Sequence, residues 1–120
     1  MLTNQLIQNC KIHDTAKLSS FINIYGCSIE ENVFIGPFVE IQKNVFINRG
    51  SRVSSHSFIC EDVTIGENCF IGIGAKIMAG TTLGRQCIVG ANSVVKGEYP
   101  DYCVIAGAPA KIVKRYNFES

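Results

Sequence analysis

The sequence predicts an all-β solenoid: short parallel strands wound into a prism of three sides, eighteen residues per coil. Three registers predict it. Stepping by six from Ile29 gives Ile35, Ile41, Ile47, Val53, Ile59, Ile65, Ile71, Ile77, Leu83, Val89 and Val95. About a quarter of the chain is Ile, Val or Leu, so chance would give this run on the order of one time in ten million. Two places before each aliphatic residue the side chain is mostly small: Val33, Val39, Val45, Ser51, Ser57, Val63, Cys69, Ala75, Thr81, Cys87 and Ser93. A spacing of two puts both residues on one face of a strand. Three places after the aliphatic residue stand Asn32, Asn44, Gly50, Asp62, Asn68, Gly74, Gly80 and Asn92. These residue types tolerate a left-handed backbone at a tight corner. Phe38, His56, Gln86 and Glu98 are the exceptions in that register.

Six residues therefore make one side, a strand and a corner. A helix lacks this period, and a hairpin sheet would show reversals instead of an unbroken phase. The simplest closed form has three sides, with successive coils about 4.8 Å apart. Strand physics does not fix its hand; the usual crossover rule gives right-handed. Upstream, Ile12 and Leu18 keep the step of six, but Ile24 to Ile29 is five, so the corner at Tyr25-Gly26 lacks a residue. Residues 1–10 read as a lead-in and 11–97 as the coil. Residues 98–120, broken by Pro100 and Pro109, read as a cap with room for a short helix. Such a cap is needed because a solenoid exposes a raw strand edge at each end.

Composition excludes several classes. The formal net charge is +1, too little for a nucleic-acid field. No run reaches the roughly eighteen apolar residues of a membrane span. The opening "MLTNQLIQNCK" is polar where a signal peptide would be apolar, so a cytoplasmic location is expected. Six cysteines with no CxxC read as reduced thiols. Cys69 and Cys87 are both inward and one coil apart, so they should stack as core thiols.

The hexads resemble those of the hexapeptide-repeat acyltransferases, and the resemblance covers nearly the whole chain. "VGANSVV" (Val89–Val95) and "VIAGAPAKIVKRY" (Val104–Tyr116) are similar to the closing segment of the acetyl-CoA-dependent members. "INIYGC" (Ile22–Cys27), "FVEIQK" (Phe38–Lys43) and "SSHSFICEDVTIG" (Ser54–Gly66) resemble N-acetyltransferases of nucleotide-linked 3-amino sugars, used for bacterial surface glycans such as lipopolysaccharide O-antigen. The resemblance implies a left-handed parallel β-helix, acetyl-CoA as co-substrate, no metal, and a homotrimer with active sites in the clefts between prisms. One departure stands out. "FIGIGAKIMAGTTLG" carries Ile73 where those enzymes have a histidine, and a long excursion is missing.

Acetyl transfer needs a slot for the pantetheine arm, charges for phosphates, an acceptor pocket and a proton acceptor. The resemblance places Ile73, Gly74, Ala91 and Asn92 on the arm's track, with Lys96 just beyond. Lys111, Lys114 and Arg115 offer cations for phosphates or are solvated charges of the cap. His56 is the candidate general base, on a corner with its ring outward; the other reading is a turn residue, since His tolerates that backbone. His13 reads as structural. Glu40 and Gln42 flank inward Ile41 and, with Tyr25, either bond a sugar or meet solvent or a neighbouring subunit. Phe34, Phe38, Phe46, Phe58 and Phe70 fall outside the inward registers, and exposed aromatics of this kind call for a partner. O-acetylation of a sugar or small alcohol, and a non-catalytic scaffold, are the alternatives. A zinc site of the carbonic-anhydrase kind needs three histidines, and the chain has two.

Overall fold

The computed structural model describes residues 4–116. Within them every regular element is a strand, and the strands stack into three sheets. Sheet I holds Gln5–Gln8, Ile22–Tyr25, Glu40–Ile41, Phe58–Ile59, Lys76–Ile77 and Val94–Val95. Sheet II holds Lys11–Ile12, Ser28–Ile29, Phe46–Ile47, Thr64–Ile65, Thr82–Leu83 and Glu98–Tyr99. Sheet III holds Lys17–Leu18, Phe34–Ile35, Arg52–Val53, Phe70–Ile71, Ile88–Val89, Cys103–Gly107 and Ala110–Arg115. The chain visits I, II and III in turn, and its extents are 44 × 29 × 21 Å.

The aliphatic register is the core. On sheet III, Ile35, Val53, Ile71 and Val89 pair one above the other as a single column, and all four are fully buried. Ile24, Ile41, Ile59, Ile77 and Val95 do the same on sheet I. Each such side chain contributes about 1.5–3 kcal/mol by burial. The small register fills the space between columns. Its polar members are satisfied: Ser51 Oγ donates to the Gly66 carbonyl at 2.8 Å, and Ser57 Oγ to that of Gly72 at 3.1 Å. Among the described residues no buried side-chain polar atom lacks a partner.

All six cysteines are free, and five are buried. Cys10 and Cys27 face each other on adjacent coils, with sulfurs 3.3 Å apart. Burial, then the Cys10 hydrogen bond, pushes the Cys27 thiol far up. The hydrogen bond to Cys87, then burial, does the same to Cys69. These thiols stay protonated and inert.

The corners explain the exceptions. Phe38, His56 and Gln86 adopt the same left-handed backbone as their Asn and Gly counterparts, with φ of 60°, 63° and 55°. Glu98 does not, because the corner before it is shortened: Gly97 takes the turn, and Glu98 opens a strand paired with Thr82. The short corner at Tyr25-Gly26 is likewise real. Gly26 turns at φ 65°, and Ile24 pairs with Ile41, seventeen residues on.

Both ends differ from the expected boundaries. The parallel ladder is already formed at Gln5–Gln8, which pairs with Ile22–Tyr25. Ile7 stacks in register with Ile24 and Ile41, while Leu6 points outward with Asn23; the five-residue step from Ile7 to Ile12 hides this phase in the sequence. The tail forms no helix among the described residues. Cys103–Gly107 continues sheet III in parallel, because Cys103 and Ile105 alternate inward. Ala110–Arg115 then folds back antiparallel, after the turn at Gly107 (φ 110°), and covers that edge.

Replacing Ile65 by Ala, in the middle of the sheet II column, should cost about 3 kcal/mol. Thr64→Ala, on the outer face one residue away, should stay within about 0.5 kcal/mol of the parent. Urea midpoints measure both, and equal midpoints would refute the column as the core.

Candidate active site

The corner between sheets III and I repeats five times. Its last residues form a column: Phe21, Phe38, His56, Gly74 and Asn92, all at positive φ. Backbone bonds hold successive members, with His56 N–H donating to Pro37, Gly74 N–H to Ser55 and Asn92 N–H to Ile73. Phe21 and Phe38 stack at 5.2 Å between ring centroids, and Phe38 and His56 at 4.9 Å. The imidazole thus has one face against Phe38. Its other neighbour in the column is Gly74, which has no side chain. A Cβ there would stand 2.3 Å from Asn92 Oδ1, so the Asn92 amide leans over Gly74.

The middle residues of this corner are Pro37, Ser55, Ile73 and Ala91. Ile73 is 56% exposed. The N–H groups of Ile73 and Ala91 make no hydrogen bond among the described residues. On the other corners two equivalents are capped: Glu61 N–H donates to Gln42 Oε1 at 3.1 Å, and Arg85 N–H to Asp101 Oδ1 at 2.9 Å. Unpaired backbone donors on an exposed edge are what the amides of an extended ligand can use. The glycines at the first corner position have another cause. A Cβ on Gly72 would lie 2.7 Å from the Val89 carbonyl oxygen, so stacking itself demands glycine.

The structure gathers His56, Ile73, Gly74, Ala91 and Asn92 on this one edge. Lys111 pairs with Ala106, which stands over Gly90, so its strand lies at the end of the same track. Lys114 pairs with Val104, in the middle of that edge. Lys96 belongs elsewhere. It follows Val95, where sheet I ends, so it sits one side of the prism away from the track, with its carbonyl accepting the Tyr99 hydroxyl at 2.8 Å. Glu40 lies on the outer face of sheet I, in register with Phe58. Gln42 and Tyr25 lie at the far corner of that sheet, where Gln42 caps the next coil and donates to Glu40 at 3.3 Å. His13 Nδ1 accepts the Thr15 N–H at 3.1 Å, a structural turn.

One residue was not singled out in advance. Lys76 follows Gly74 by two and its Nζ donates to the Gly74 carbonyl at 3.0 Å, which brings a cation to the rung next to His56. Its outward position was legible from the register, but its bend toward the corner was not.

Among the described residues, no three His, Cys, Asp or Glu side chains converge on a point. No helix among them is long and apolar enough to cross a membrane.

Fold and repeat together define a left-handed parallel β-helix. An N-acyltransferase of that kind, AntD from Bacillus cereus, superposes over 95% of this chain and 78% of its own with a TM-score of 0.82 at 16% identity, which a coil of the opposite hand could not do. The pattern of bacterial transferase hexapeptides (six repeats) matches residues 62–97 of this chain. A protein of Escherichia coli (strain K12) named "Putative lipopolysaccharide biosynthesis O-acetyl transferase WbbJ" is 36% identical, over 89% of this chain and 61% of that protein. A perosamine N-acetyltransferase from Caulobacter crescentus, solved with CoA and GDP-perosamine, is 25% identical with a TM-score of 0.60, over 91% of this chain and 57% of that one. The chain spans about half the length of the curated relatives it matches.

The stack on His56 can be weighed against its backbone strain. Phe38→Ala should lose the ring contacts, about 0.5–1.5 kcal/mol, and keep a Cβ in the left-handed region. Phe38→Gly should recover about 1 kcal/mol relative to Phe38→Ala. An alanine variant that unfolds at the parent's urea concentration would show that the stack contributes nothing.

Proposed function

We propose that this chain is an acetyltransferase that moves acetyl from acetyl-CoA to the amino group of a nucleotide-linked amino sugar, in the cytoplasm, for bacterial surface-glycan synthesis. The observation that carries the reading is the sheet III–I corner. It places a solvent-facing imidazole, a side-chain gap and two unpaired backbone donors on one edge. The corner fits an extended arm: Ile73 and Ala91 offer N–H groups, Gly74 leaves room, and Lys111 stands at the end of the track for phosphate. Acetyl-CoA supplies the acetyl group as an activated thioester.

His56 accepts the proton that the attacking amine loses and returns it to the departing sulfur. Asn92, leaning over Gly74 toward the imidazole, offers the acceptor a polar contact at the same rung. Lys76 brings positive charge beside that rung, where negative charge would develop on the carbonyl oxygen. Phe38 and Ile73, with Phe70 and Ile88 on the outer face of sheet III, are exposed apolar groups beside the edge. They suit closure by neighbouring copies in a homotrimer. Glu40 faces outward on sheet I, the side that follows this corner, and is the acceptor contact that geometry favours over Gln42 and Tyr25.

A second reading has its own support. The 36% identical relative carries an O-acetyl transferase name, so a sugar hydroxyl is the competing acceptor. Thiol release from acetyl-CoA, measured against nucleotide-linked amino sugars and against neutral sugars, tests both. The expected product is an amide that survives mild base; a base-labile ester would transfer the conclusion to the second reading. His56→Ala should lower kcat roughly 10²–10⁴-fold. Undiminished release in that variant would remove the base role, and no release with any acceptor would favour a scaffold.

A further inference from the structure

A groove stands apart from the His56 edge. It lies across sheet III near its corner with sheet II, has a volume of about 240 Å³, and is lined by Thr15, Lys17, Asn32, Val33, Phe34 and Arg52. Lys17, Phe34 and Arg52 are one outward column, paired rung to rung. The Arg52 guanidinium lies 4.6 Å over the Phe34 ring. Stacking fixes its plane and leaves its N–H edge for a planar or tetrahedral oxyanion. The ion pairs among the described residues are Arg49–Glu67 and Arg85–Asp101, so neither groove cation is neutralised by one of them. No carboxylate lines the groove. At its other wall the Thr15 hydroxyl is fixed, accepting the Asn32 N–H at 2.8 Å and lying 2.9 Å from His13 Nδ1.

We propose that this groove is an oxyanion subsite that holds a diphosphate between Lys17 and Arg52. Their backbones are two rungs apart, but Arg52 reaches back over Phe34, so its charge stands about one rung, roughly 4.8 Å, from that of Lys17, a span that two linked phosphates can bridge. Two candidate ligands carry that group, a nucleotide-linked acceptor and CoA. Only the choice between them rests on the function proposed above; anion binding does not.

Calorimetric titration of the full chain with inorganic pyrophosphate at low salt tests it. Arg52→Ala and Lys17→Ala should each weaken binding at least tenfold, with Arg52→Lys in between because it keeps charge and loses the fork. Lys11→Ala, an exposed lysine on sheet II, should stay within twofold. All three sites are on the surface, and unchanged circular dichroism confirms the fold of each of the four variants. Absence of pyrophosphate binding in the parent, or equal affinity in Arg52→Ala and Lys11→Ala, would overturn the proposal. Repeating the titrations with a nucleoside diphosphate and with CoA identifies the source. A loss confined to the nucleotide assigns the acceptor, a loss confined to CoA assigns the co-substrate, and loss of neither overturns the subsite. Because pyrophosphate binding requires no acetyl transfer, an inactive enzyme would leave this result standing.

Discussion

Stacking of one aliphatic side chain per side, coil upon coil, is the interaction on which everything else depends. A single coil has no interior. Its inward Ile or Val meets nothing unless another coil lies on each side. The contact repeats at the strand spacing, so the sequence must return an apolar residue to the same place every six positions. That demand fixes the corners too. Two or three residues must turn the chain by a third of a revolution, and at nearly every corner one of them takes a left-handed backbone. Asn, Asp and Gly meet this at low cost, and they fill most corners of sheets I–II and II–III.

The sheet III–I corner meets the same demand with different chemistry. Elsewhere, corner groups bond to one another along the stack: Asn44 Nδ2 donates to Asp62 Oδ1 at 3.2 Å, and Arg49 pairs with Glu67 at 3.5 Å. Here Phe21, Phe38 and His56 occupy the strained position and repay part of the cost by stacking on each other. Asn, Asp or Gly would meet the turn at lower cost, as they do at most corners of the other two edges. The aromatic ladder orients the imidazole and spends stability on a side chain the turn does not require. This supports a role for His56 beyond the turn itself.

The fold was legible because the dominant energy term is periodic, and a period survives in a string of letters. The columns through Ile35, Val53, Ile71 and Val89 could be read directly. The ends were harder. The strand at Gln5–Gln8 is in phase, but the five-residue step to Ile12 hides it. The tail lost its period through the shortened corner at Gly97, although Cys103 and Ile105 still alternate inward. Of the candidate site, the corner membership of His56, Gly74, Ala91 and Asn92 followed from register alone. Lys96 did not, since linear distance from Asn92 says nothing about which side of a prism a residue occupies. Lys76 and the Arg52–Phe34 stack depend on side-chain bends, and those come from three-dimensional neighbours rather than from spacing.

The shape of a prism limits what one copy can do. Its corners are convex, and a convex edge cannot exclude water from a reacting pair. Water exclusion strengthens charge stabilisation in an active site, so the edge carrying His56 needs a second surface across from it. The missing excursion after Ile73 makes this need greater, because no segment of this coil folds over the gap at Gly74. Four exposed apolar groups lie on that side, Phe38 and Ile73 on the corner and Phe70 and Ile88 on sheet III, while others such as Phe46 on sheet II lie elsewhere. A neighbouring prism laid against them would bury apolar area and convert the open edge into a cleft. Under the function proposed above, the active unit is then an assembly, and the proposed chemistry at His56 requires contacts that one convex edge does not make by itself.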